Sequence, residues 1–227
     1  MKKHHLLLIA AVLGCTLSET AYAQYGNCGN MDFEDGTING WTGNFGKTPY
    51  KGTCCTSPYV AVPINSGINN KTARITIMQG GADPYAGFSL TPPPLPGNAN
   101  TNNYCVRLGH DYTTYNFMDG GYKRQTLNYD FTPDQNNYML IVQYAVVLNE
   151  PAGAVGHNGE LAPHFKMEAY DDQGNLINCL YEFQTANDPN STKNGYKTQG
   201  VVTYKTWTNK IMDFSNYMNK TIKITRK

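Results

Sequence analysis

Apolar residues in this chain come in short runs, mostly β-branched or aromatic, cut by clusters of Gly, Pro, Asn and Asp. Helical periodicity is nearly absent, so the pattern predicts an all-β domain. Strands are expected over residues 72–78, 104–109, 125–131, 138–148, 165–170, 176–183, 201–211 and 220–225. The run YMLIVQYAVVL at 138–148 is the most apolar, which predicts a central position in a sheet. Asp171-Asp172-Gln173-Gly174-Asn175 predicts a hairpin turn, since Gly and Asn accept the positive φ that such turns need.

The connections are long. Residues 42–70 read as a loop with prolines, glycines and a cysteine pair. Residues 80–103 contain the run TPPPLPG at 91–97, a short polyproline II rod that cannot join a ladder. Residues 149–163 are turn-rich. Loops of this size in a compact domain serve a function or decorate a family.

Residues 1–23 are set apart from the fold. Lys2 and Lys3 precede an apolar stretch from Leu6 to Leu13, and Ala21-Tyr22-Ala23 offers a cleavage site before Gln24. These features predict a signal peptide and an exported protein, extracellular or at the cell surface. Val12-Leu13-Gly14-Cys15 loosely resembles a lipobox, which leaves lipid anchoring through Cys15 as the alternative. The apolar stretch is too short for a stable spanning helix, and no transmembrane segment is expected elsewhere. Residues 24–227 are enough for a single β-sandwich with its own core.

The formal net charge of +1 and the lack of a basic stripe argue against nucleic acid as a partner. Only 15% of residues are charged, so solubility rests on the many amides and hydroxyls. The 17 tyrosines suit pleated surfaces, and each offers a ligand an aromatic face with a polar edge. Beyond Cys15 the cysteines are Cys28, Cys54, Cys55, Cys105 and Cys179, an odd number, so at least one thiol is unpaired within the chain. Cys28 with Cys54 or Cys55 is the pairing that would tie the N-terminal arm to the first long loop. Cys105 and Cys179 fall in strand-like runs, where a buried thiol acts as a small hydrophobe.

Nothing here reads as an active site. Carboxylates are scattered, and Asp32 and Glu34, which would share one face of a strand, lack a visible means of raising a pKa. There is no G-x-S-x-G elbow, no activating neighbour for Cys105, and no metal motif in His110, His157 and His164. The expectation is a non-enzyme. The best ligand candidates are aromatic. HDYTTYNFMDGGYKR at 110–124 sets Tyr112, Tyr115, Phe117 and Tyr122 beside Asp119 and Arg124. Such rings stack on sugar C–H faces while acids, amides and guanidinium groups bind hydroxyls. The competing reading is that some of them cap the core.

The motif Asn30-x-Asp32-Phe33-Glu34-x-Gly36 followed by Gly40-Trp41 resembles the first strand of jelly-roll modules of the galactose-binding and carbohydrate-binding type. Further runs extend the likeness, among them ITIMQGGADPYAG at 75–87, YCVRLGH at 104–110, APHFKMEAYDDQGNLINC at 162–179 and WTNKIMDFSNYMNKTIKIT at 207–225. Together they resemble the N-terminal jelly-roll module of large Bacteroidetes-type surface proteins, which continue into PKD-like repeats and a sorting domain. The resemblance implies a two-sheet β-sandwich of jelly-roll type with Phe33 and Trp41 in its core. It also implies a further strand beyond residue 225, without which one sheet edge would be unpaired. A structural Ca2+ is implied too, held by Glu34 with Asp32 and Asp35 nearby and Asp213 arriving from a late strand. Alternatively, Asp32 and Asp35 are turn residues and Glu34 is bonded to backbone. By the same resemblance the protein is expected to be a binding or adhesion module with carbohydrate as its ligand. A spacer in a surface assembly and a module parted from a hydrolase are the alternatives; oligomeric state is left open.

Overall fold

The computed structural model describes residues 31–48, 60–61, 75–95, 103–109, 122–149, 162–178, 181–186 and 188–226, with backbone pairing alone at 45–48, 60–61 and 122–124. The described chain is nearly all β and its strand pairs are antiparallel. The strands are β1 (Trp41–Thr48), β2 (Val60–Ala61), β3 (Ile75–Gln79), β4 (Tyr104–Leu108), β5 (Tyr122–Phe131), β6 (Met139–Asn149), β7 (His164–Tyr170), β8 (Glu182–Thr185), β9 (Lys197–Gln199), β10 (Val202–Asp213) and β11 (Ile222–Arg226).

One layer is a six-stranded sheet in the order β2-β1-β5-β11-β7-β8. Its register puts Trp41, Leu127, Tyr129, Ile222, Ile224, Met167 and Ala169 on a single face, and all seven are buried. Two smaller sheets cover that face. The pair β3-β4 packs Ile75 and Ile77 against Trp41, Leu127 and Tyr129, and the three-stranded sheet β6-β10-β9 packs Val142, Tyr144, Val146, Leu148 and Met212 against β7 and β11. Phe131 touches both clusters, so one continuous core runs through a β-sandwich. Between the two small sheets runs the 89–93 segment. The Cys105 thiol donates to Leu90 O (3.3 Å), Trp207 Nε1 to Ser89 O (2.8 Å) and Gln143 Nε2 to Pro93 O (2.9 Å). Ser89 and Leu90 pair with Ala82 and Gly81 through the backbone, and the prolines beyond them, which cannot donate to a ladder, are met by side chains.

Several expectations are corrected. The apolar strand 138–148 is not central: among the described residues it forms, as β6, the edge of its sheet. Its apolarity reflects burial of alternate residues on one face and half-burial of Ile141, Gln143, Ala145 and Val147 on the other. The opening motif is not a strand either, and Asp32 and Glu34 share no strand face. Residues 31–40 form turns. Asp32 Oδ1 accepts from Glu34 N, Asp35 Oδ1 from Thr37 N and Oγ1, and Thr37 Oγ1 from Asn39 N. These side chains occupy the N–H groups that a ladder would need. The strand starts at Trp41 and runs to Thr48, inside what reads as loop from sequence. Gly40 makes the entry possible: its φ is +84° and a Cβ there would meet the Tyr129 ring at 3.4 Å.

The expected strand at 176–183 is broken. The predicted turn forms, with Gly174 at φ +82° and Asp171 Oδ1 accepting from Gln173 N and Asn175 N. Leu176 then makes a single bridge to Tyr170, Tyr181 N donates back to Asn178 O, and pairing resumes only at β8. The last strand, β11, lies in the middle of the large sheet between β5 and β7, bonded on both sides.

Candidate functional site

Of the predicted aromatic site, Tyr112, Tyr115, Phe117 and Asp119 lie outside the described residues, as do His110, His157, Cys28, Cys54, Cys55 and Cys179. Tyr122 and Arg124 fall on β5, paired with Thr48 and Gly46 of β1. Cys105 is a free thiol whose burial pushes its pKa up to about 12, so it stays protonated and is no nucleophile at neutral pH. His164 bonds Ala162 O through Nδ1 at 2.9 Å and lies against Phe183.

The acids of the opening motif do local work. The Glu34 carboxylate accepts from Asn103 N at 2.9 and 3.0 Å and from Tyr104 N at 3.2 Å, clamping the start of β4 to the first turn. Asp213 Oδ1 accepts from Ser215 N at 2.8 Å, and that bond lowers its pKa. A hard cation wants roughly six to eight oxygens. Among the described residues no group of three His, Cys, Asp or Glu side chains is placed to hold a metal ion. Asp32, Glu34 and Asp213 each accept from backbone N–H groups, and these bonds hold the turns they sit in. EDTA is accordingly expected to leave the melting temperature unchanged; a fall of several degrees that added calcium reverses would restore the metal assignment.

A different polar group lies inside the sandwich, between β6-β10-β9 and the β7-β8 end of the large sheet. It is created by a bulge in β10. Lys205 pairs with Val146 and Thr208 with Tyr144, so Thr206 and Trp207 together oppose Ala145. Strand side chains alternate, and Lys205 and Lys210, an odd number apart, would face opposite sides of a regular strand. The bulge shifts the phase. Both lysines then share the inward face of Val142, Tyr144 and Val146. Opposite them, Glu182 and Gln184 pair with Met167 and Phe165 and face the same interior. Tyr196 enters just before β9, 2% exposed.

Within this group Lys210 Nζ bonds Glu182 Oε2 (3.2 Å) and Tyr181 O (3.0 Å). Lys205 Nζ lies 5.6 Å from the Tyr144 ring centroid and 5.1 Å from that of Tyr196, with the Tyr144 hydroxyl at 3.5 Å. No described carboxylate lies within ion-pair distance of Lys205. Phe165 stacks on Tyr144 at 5.4 Å. Burial raises the pKa of both tyrosines, and the nearby Glu182 carboxylate raises them further, so both phenols are protonated donors at any physiological pH. Two polar atoms here are buried without a hydrogen-bond partner: the Tyr196 hydroxyl and Gln184 Oε1.

Sequence reasoning passed over these residues because no motif joins them. Tyr144, Glu182, Tyr196 and Lys205 come from four separate strands or their flanks, and the bulge that turns Lys205 inward has no Gly or Pro to mark it. Among the described residues no helix is long and apolar enough to cross a membrane. Comparison of the chain with protein-family models, with curated proteins and with solved structures found no match to any of them.

Proposed function

We propose that this chain is an exported, non-catalytic binding or adhesion module of the cell surface, with carbohydrate as its ligand. The observation that carries the reading is the group around Lys205. Two tyrosine rings flank an ammonium with no carboxylate among the described residues at ion-pair distance, next to a buried phenol with no hydrogen-bond partner. The rings are covered by Lys205 and Phe165, so a saccharide would meet this group through its ammonium and phenol, which bond sugar hydroxyls and acids. The leader-like residues 1–23 and the amide- and tyrosine-rich composition support export. The likeness to jelly-roll carbohydrate-binding modules supports the ligand class, as an analogy of fold and motif. Affinity electrophoresis against a panel of neutral and acidic polysaccharides tests it. Retardation by at least one is expected; uniform silence would favour the structural spacer.

A further inference from the structure

We infer that the Lys205 group receives a carboxylate, and that the saccharide bound is an acidic one of the uronate type. The inference rests on the carbohydrate reading and narrows it. Lys205 is half-buried, and an ammonium partly withdrawn from water loses hydration that ring faces replace only in part. Lys205 has those rings and one long bond to the Tyr144 hydroxyl at 3.5 Å, and its neighbour Lys210 already holds Glu182. Among the described residues one positive charge is therefore left uncompensated, which matches a single negative charge.

The unpartnered atoms say more. The Tyr196 hydroxyl lacks an acceptor, and Gln184 Oε1 lacks a donor. The Gln184 amide cannot be turned round, because its Nε2 donates to Thr185 O at 2.7 Å and a reversed amide would set two acceptors together. The group thus lacks an anion for Lys205, an acceptor for Tyr196 and a donor for Gln184. A carboxylate supplies the first two, and on the carbohydrate reading a saccharide that carries one is a uronic acid. A phosphate monoester would bring an excess negative charge toward Glu182, and a neutral sugar would leave Lys205 unpaired.

Isothermal titration calorimetry on the full chain tests this, with a galacturonate trisaccharide, a neutral galactose trisaccharide and a short polyglutamate as probes. The galacturonate is expected to bind and the neutral sugar to bind far more weakly. Lys205→Met should lose roughly tenfold or more in affinity, while Lys205→Arg keeps most of it. Tyr196→Phe should weaken binding with its melting temperature undiminished, which separates ligand contact from misfolding. If neutral and acidic sugars bind alike and Lys205→Met changes nothing, the inference is overturned while the carbohydrate reading stands. If polyglutamate binds and galacturonate does not, the carboxylate site stands and the carbohydrate reading falls. If none of the three binds, both fall.

Discussion

Trp41→Ala is expected to destabilise the domain by ~3–5 kcal/mol, the range for truncating a buried aromatic. The indole is 6% exposed and packs on three sides. Phe33 stacks on it with ring centroids 4.9 Å apart, Tyr129 lies at 4.8 Å, and the Arg226 guanidinium is 5.0 Å from its centroid. Burial pushes the Arg226 pKa down to about 10, so the ring face is its principal substitute for water. Phe33 is also held at φ +66°, an uncommon backbone for a bulky residue, where its carbonyl accepts from Gly36 N and its ring stacks on Trp41. Removing Trp41 therefore releases Phe33 and leaves Arg226 without its face. Urea unfolding should show the loss directly, and the double variant with Phe33→Ala should cost less than the sum of the two single changes. A loss under about 1 kcal/mol would mean that the opening turn is only loosely attached.

Phe214→Ala is expected to cost a similar ~3–5 kcal/mol, but with a different reach. Phe214 is fully buried, meets Phe131 edge-on at 5.2 Å and Tyr217 at 6.4 Å, and its N–H donates to Tyr138 O at 2.8 Å. Because Phe131 belongs to both halves of the core, a cavity at Phe214 loosens both. For a chain of this size, the melting temperature should fall by roughly 6–20 °C. Amide exchange should quicken in β6 and in β3 alike. Exchange that quickens in β6 alone would show that the two halves open independently.

Much of the fold is legible in the chain because burial follows an alternating period. Val142, Tyr144, Val146 and Leu148 alternate along β6, and Ile222 and Ile224 along β11, each on one buried face. The turn at 171–175 was readable because Asp, Gly and Asn carry its geometry locally. Misreadings arose where a local pattern served a non-local end. The D-F-E run looks like a strand, yet its acids bond nearby N–H groups and, through Glu34, the distant start of β4. β1 looks like a loop, because a strand such as WTGNFGKT earns its place by pairing with β5 rather than by its own propensity.

By itself, then, the sequence determined the class: an all-β chain with a local turn at 171–175 and Cys105 as an inert thiol. Those properties depend on residue type and on neighbours one or two positions away. Only the tertiary structure decided that β6 is, among the described residues, an edge strand, that β11 lies between β5 and β7, and that Glu34 is a clamp. It also decided that Lys205 and Lys210 face the same interior. Strand order and side-chain phase beyond a bulge are set by pairing between distant segments, and a one-residue shift there reverses every side chain that follows.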